Sequence, residues 1–272
     1  MFDWAELATK HKLHIQYGAA DAMLSSCNLE IAVEAENVEL AARRVKDVHV
    51  MLYMHGIVPF SVQMMSNYSI NQYAGINGRK SSYGRELLPE GLREGITNET
   101  AKVEIWSAPY VSAPHIRSKL TRKLRPATFS AAVRDADRWS KLRNEYPICT
   151  LFGDVIIAAP TMPDVGQSLL HIWTGLEALF PNVQTELSFR LALYLAQLQH
   201  IHGNRAMFFE RARLSYRDRS AVAHGGKPKR KGKRDPWLSA WLLLLGTAYA
   251  LIQRGMVPSE EHLTKEILGV PR

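Results

Sequence analysis

Two cysteines are all the chain carries, Cys27 and Cys149, and neither has a second cysteine at C-x-x-C spacing. That excludes a disulfide framework and a cysteine-rich zinc site, and leaves two inert thiols suited to a reducing cytoplasm. The opening residues, Met1-Phe2-Asp3-Trp4-Ala5-Glu6, lack a basic region followed by an apolar run, so no secretory signal is expected and the localisation expected is cytoplasmic. The glycines fall into neither G-x-G-x-x-G nor a Walker-type G-x-x-x-x-G-K-[ST] loop, and no serine nucleophile elbow occurs. Nucleotide hydrolysis and serine-nucleophile chemistry therefore lack a sequence basis. His200-Ile201-His202 has no H-E-x-x-H or cysteine company and reads as polar surface, so no metal and no cofactor are expected. Internal repeats are absent too, and the one low-complexity tract is Lys227-Pro228-Lys229-Arg230-Lys231-Gly232-Lys233-Arg234.

Long apolar runs are also scarce. Trp237 to Ile252, interrupted by Ser239, Gly246 and Thr247, comes nearest, and it falls short of the roughly 20 apolar residues of a membrane span. Asp235 before Pro236 has the form of an N-cap followed by proline at the first helical position, which starts a soluble helix. Burial in a core or a subunit interface is expected for it, and no membrane partner.

What is present is an ordinary globular composition, 46% apolar and 22% charged, which excludes a wholly disordered chain. A length of 272 residues favours two domains. The formal net charge is +8, and six positive residues, Lys227, Lys229, Arg230, Lys231, Lys233 and Arg234, fall in one short segment. The basicity is local, which suits a polyanion such as RNA. A solvated loop kept soluble by its charge has the same composition.

Residues 29–36 alternate apolar and mostly acidic positions, the pattern of a strand with one wet face. From Val38 to His55, Ala41, Val45, Val48 and Leu52 recur at helical spacing with Arg43, Arg44, Lys46 and Asp47 largely on other faces, and Gly56 suits a helix end. Strands are expected at Ile57 to Met65 and at Lys102 to Trp106, separated in part by a polar, glycine-rich stretch from Ser66 to Arg85 whose Tyr68 and Tyr73 are more readily packed than free to stack on bases. A basic cluster, Arg117, Lys119, Arg122, Lys123 and Arg125, precedes Pro126, where the mixed pattern gives way to helices. The expected organisation is an α+β N-terminal domain over residues 1–125 and an all-α bundle over residues 126–272. Helices are expected at 128–146, 165–180, 185–200, 206–224, 236–254 and 259–268, with Leu151 to Ala158 apolar and unclassified.

The most informative segment is Ser215-Tyr216-Arg217-Asp218-Arg219-Ser220-Ala221-Val222-Ala223-His224-Gly225-Gly226. Ser215 and Asp218 have capping-box-like spacing and suit the opening of a short helix, which Gly225 and Gly226 would close with His224 in its last turn. There the negative end of the backbone dipole favours an imidazolium. Arg219 and His224, with four residues between, form an R-x4-H pattern, and Tyr216, Arg219, Ser220, His224 and Gly225 give Tyr-x-x-Arg-Ser…His-Gly. Upstream stand Trp173-Thr174-Gly175-Leu176-Glu177-Ala178-Leu179-Phe180 and Arg190-Leu191-Ala192.

In these residues the chain resembles the HEPN superfamily, and more narrowly its Apea-like domains, over residues 126–272 and nothing before. The resemblance implies an HEPN-like helical bundle that pairs as a homodimer, with the motifs of two subunits lining a cleft. It also implies metal-independent RNA cleavage, because RNA carries its own nucleophile in the 2′-hydroxyl. His224 would move the proton and Arg219 would hold the phosphate oxygens, with Ser220, Tyr216 and Glu177 in support. The implied setting is phage defence or a growth-arresting toxin, with an antitoxin or trigger acting on the N-terminal domain.

Many HEPN nucleases have Asn, Asp or His directly after the arginine, whereas this chain has Ser220, whose hydroxyl is a poor proton shuttle. Two other readings therefore stay open: a non-catalytic module that binds RNA or a nucleotide, and a dimerisation adaptor. In both, Arg219 would pair with Glu177 or Asp218, and His224 would cap a helix.

Overall fold

The computed structural model describes residues 29–62, 64–69, 82–87, 103–105, 113–116, 123–227 and 235–270. In chain order the elements are α1 (Val38–Met54), β1 (Met64–Ser66), α2 (Ser82–Glu86), β2 (Val103–Ile105), α3 (Pro126–Glu145), α4 (Ile148–Ala158), α5 (Val165–Ala178), α6 (Leu187–Gln199), α7 (Arg205–Ala223), α8 (Pro236–Arg254) and α9 (Glu260–Leu268). They fall into two compact units, residues 1–34 with 61–110, and residues 35–60 with 111–272.

In the first unit β1 and β2 pair antiparallel, with Met64 opposite Ile105, Met65 opposite Glu104 and Ser66 opposite Val103. The second expected strand is thus confined to β1. Ile57 and Val58 are instead buried, and the Ile57 amide closes the end of α1 on the Leu52 carbonyl at 2.9 Å. Gly56, at φ +82°, turns the chain there. Residues 29–35 join no ladder, although Ile31, Val33 and Ala35 are less exposed than their neighbours, as the alternation required. Cys27, Tyr73, Arg117, Lys119 and Arg122 lie outside the described residues.

The second unit is helical, and it claims α1, which the sequence pattern had assigned to the first domain. The reason is Asp47, expected on the wet face. Its carboxylate is buried and receives a bidentate grip from Arg143 of α3, Nε to Oδ1 at 2.9 Å and Nη2 to Oδ2 at 2.8 Å, with 4% and 9% of the two side chains exposed. Such a pair satisfies both ions at once, so the helix can bury Val45, Val48, Met51 and Leu52 around it. On α3, Ala132, Ala136, Trp139 and Leu142 form the matching apolar stripe after Pro126 at the first turn.

The unclassified stretch at 151–158 belongs to α4, whose Cys149, Phe152, Val155 and Ile156 are fully buried. A helix apolar on nearly every side hides its own period. Gly153 lets α1 and α3 approach, since a β-carbon there would stand 3.3 Å from Val50. Burial pushes the Cys149 thiol up to about 12, against the opposing charge of Arg143, which keeps it unreactive.

Among the described residues α8 is the one helix long and apolar enough, by length and composition, to cross a membrane. It packs instead against α5, α6 and α7. Asp235 caps it by accepting from the Leu238 amide at 3.2 Å. Trp237 stacks on Trp241 at 5.6 Å and donates to Ser168 of α5 at 2.6 Å. Gln199 of α6 donates to Thr247 and to the Leu243 carbonyl, at 2.8 and 3.0 Å. Gly246 leaves the space for that amide, because a β-carbon would lie 2.7 Å from its oxygen. The last helix is tied back by Arg254 and Gln197, both donating to Glu266.

Candidate functional site

α5 and α7 bring the motif residues together at their contact. Asp164 opens α5 by accepting from the Gln167 amide at 2.7 Å. Two turns on, Trp173 is fully buried and donates from Nε1 to Ser215 Oγ at 3.2 Å. Ser215 therefore does not open a helix, contrary to the expectation from its spacing to Asp218. α7 begins ten residues earlier, where the Asn204 side chain accepts from the amides of Ala206 and Met207, and Ser215 is spent satisfying the indole.

One turn along each helix from that hydrogen bond lies the ion pair. Arg219 Nη2 donates to Glu177 Oε2 at 3.2 Å, and Nε stands 3.1 Å from Oε1 without the alignment of a hydrogen bond. Both side chains are 29% exposed. The guanidinium also lies 5.5 Å from the centroid of Tyr216, whose ring meets Trp173 edge-on at 5.0 Å. Burial raises the Glu177 carboxyl above its ordinary range, with the Arg219 charge and hydrogen bond pulling the other way. The Tyr216 phenol is raised too, by burial first and then by the Glu177 charge, against Arg219. Glu177, Tyr216 and Arg219 thus form one set of contacts, in which the carboxylate occupies part of a guanidinium that has five N–H donors to offer. Asp218, the other partner considered for Arg219, is buried on the same helix.

His224 is placed differently. It is the C-cap of α7, exposed, and its amide bonds the Ser220 carbonyl at 3.2 Å. The Gly225 amide returns to Val222 at 2.9 Å and the Gly226 amide to Ala221 at 2.8 Å, with Gly225 at φ +77°. Those two bonds close the helix and fix where the imidazole leaves it. Residues five apart on a helix diverge by about 140°. Accordingly Arg219 turns to α5 while His224 stands at the open end, and no hydrogen bond joins them among the described residues. Ser220 is half-buried between them and Lys227 is exposed. Lys229, Arg230, Lys231, Lys233 and Arg234 lie outside the described residues, as does the side chain of His202. His200 Nδ1 is engaged with the Gln197 carbonyl at 2.6 Å.

The geometry offers a fixed, partly occupied guanidinium and an exposed imidazole at opposite azimuths of one helix end. The sequence had singled out both, together with Glu177 and Tyr216. It missed Trp173 and Ser215 as the hydrogen-bonded base of the cluster, although the tryptophan four residues before Glu177 was visible. No known protein family, curated protein or solved structure matches the chain.

Proposed function

We propose that the chain is a metal-independent endoribonuclease of the HEPN type, acting as a homodimer in the cytoplasm. The observation that carries this reading is the end of α7, where Arg219 is held against Glu177 and His224 is presented to solvent at a fixed C-cap, directly before a run of six positive residues. Because the two groups diverge within one chain, a second copy completes the site, its own helix end bringing an imidazole to the first copy's guanidinium.

In the reaction His224 takes the proton of a ribose 2′-hydroxyl. The 2′-oxygen bonds to phosphorus, the bond from phosphorus to the 5′-oxygen breaks, and that oxygen receives a proton. The products are a 2′,3′-cyclic phosphate and a 5′-hydroxyl. Arg219 neutralises charge growing on the phosphate oxygens with the donors that Glu177 leaves open. Lys227, Lys229, Arg230, Lys231, Lys233 and Arg234 hold flanking phosphates. An α+β N-terminal domain chooses the target or answers to an antitoxin or trigger, in defence against phage or as a toxin.

The second reading, a non-catalytic module that binds RNA or a nucleotide, is favoured by one observation: Arg219 already has a carboxylate partner in Glu177 without substrate, with Ser220 next to it in sequence. Incubation of the purified protein with total RNA and tRNA in excess EDTA separates the two. Wild type is expected to cut and leave cyclic phosphate ends, while His224→Ala and Arg219→Ala leave the RNA intact. Identical behaviour of all three would transfer the site to the binding-module reading.

A further inference from the structure

We infer that the exposed face of α7, with Phe189 of α6, is a track for single-stranded RNA that ends at His224. The inference rests on the reading of RNA as ligand above, but its test falls on Arg213, Arg217 and Phe189, which that reading does not use. Arg213, Arg217, Ser220 and His224 follow one another at intervals of four, three and four, so they lie within about 60° of one another around the helix. The buried Ser215 lies nearly opposite that face, and the buried Phe208 and Ala212 lie off to one side of it. Arg213 is half exposed, and Arg217 and His224 are exposed. From Arg213 to His224 the stripe runs about 16 Å, with the two arginines one turn apart, about 6 Å along the axis.

At its start the stripe meets aromatic surface. Phe189 is 51% exposed and touches Phe209 edge-on, with ring centroids 5.6 Å apart, and the Arg213 guanidinium lies 5.6 Å from the Phe209 centroid. An exposed ring beside stacked guanidinium and ring offers flat surface to an unpaired base, and the arginines that follow offer charge to its phosphates. An acidic peptide would match the charge without needing Phe189. A paired duplex would match the charge but has no free base face to stack. Among the described residues of α7, Glu210 is the one acid on this face, 3.4 Å from Arg213 in an exposed pair that a phosphate can displace. At the other end the stripe passes His224 and meets exposed Lys227, where the basic run begins.

Binding is read by fluorescence anisotropy on the full chain in EDTA, over a series of KCl concentrations. The probe is a short labelled oligouridylate whose 2′-hydroxyls are methylated and which therefore cannot be cut. Arg213→Gln with Arg217→Gln is expected to weaken binding about tenfold at low salt and to make the log–log salt slope shallower by about 1.4, at about 0.7 per phosphate contact. Phe189→Leu is expected to weaken binding about fivefold with the slope unchanged, and to leave a duplex of the same length unaffected. Thermal midpoints equal to wild type confirm that these exposed substitutions leave the fold intact. An unchanged slope in the double variant, or an equal loss on duplex and single strand in Phe189→Leu, overturns the track. Loss of RNA cutting in His224→Ala with normal binding by the track variants would keep the nuclease and sink the track. Weakened binding by the track variants with no cutting by wild type would do the reverse.

Discussion

Gly225 has a left-handed backbone and open space where a side chain would go, since nothing lies within 4 Å of a β-carbon built on it. The cost of Gly225→Ala is therefore conformational alone, about 1 kcal/mol. Gly226 reverses the balance: its φ is ordinary, but a β-carbon would stand 2.9 Å from the Ala221 carbonyl oxygen, a backbone atom that cannot swing away. Gly226→Ala is expected to destabilise more than Gly225→Ala in urea unfolding, and to reduce RNA cutting beyond its loss of folded protein because the closing bonds that place His224 are disturbed. Equal, small effects of both would show that the imidazole is not held by this turn. At Glu177 the expected loss is electrostatic. Glu177→Gln removes the charge facing a half-buried guanidinium and is expected to cost about 1 kcal/mol, discounted for the 29% exposure of both groups. It also frees donors on Arg219, so the same variant is expected to bind RNA more tightly, as a gel-shift titration would show.

Among the described ion pairs that hold α1, the pair of Asp47 with Arg143 is the buried one. Asp47 and Arg143 are both buried and bidentate, and removing one partner leaves the other charge without compensation. Asp47→Ala is expected to cost about 3 kcal/mol and lower the thermal midpoint by roughly 10 °C. The double change Asp47→Leu with Arg143→Met is expected to recover most of that loss, because it leaves no buried charge behind. A double variant no better than the single one would mean that the pair is not what joins α1 to α3. The same contact marks how far the elements were legible. Helices with one wet face, such as α3 and α9, show their period, and the cap at Asp235 marks the start of α8 to within a residue. Asp47 misled because a charged residue at an amphipathic position scores as surface until its partner 96 positions away is known. α4 had no polar face to reveal it. Ser215 looked like a cap because spacing cannot show that an indole already claims its hydroxyl. At the site, Arg219 and His224 were legible as a motif, but their divergence follows from the helix running unbroken between them.

For the helical unit as a whole, two partly buried titratable groups, His49 and Glu266, bear on the response to acid. His49 on α1 packs edge-on against Tyr53 and Phe60, at 4.6 and 4.9 Å. Burial and then the Lys46 charge push its pKa down to about 4, against a hydrogen bond with the Phe60 backbone. Glu266 on α9 is opposed by burial, but the hydrogen bonds from Arg254 and Gln197, the Arg254 charge and His262 outweigh it and hold the carboxyl at about 2. In both cases the unfolded chain binds protons at a higher pH than the folded one, so stability falls as pH falls. For His49 the loss runs from about pH 6.5 down to about 4, and for Glu266 from about 4.5 down to about 2, each to a limit of about 3 kcal/mol. His171, also lowered by burial despite Asp154, adds to the first stage. Against a typical total of about 5–15 kcal/mol, either stage alone removes a large share of the stability. Urea unfolding followed by tryptophan fluorescence from neutral pH downward is therefore expected to show decline beginning near pH 6.5, well above the carboxylate range. His49→Gln should flatten the upper stage and leave the lower one, and Glu266→Gln should do the opposite. An upper stage that survives His49→Gln would assign the early acid sensitivity to other histidines and mean that His49 takes up its proton alike in the folded and the unfolded chain.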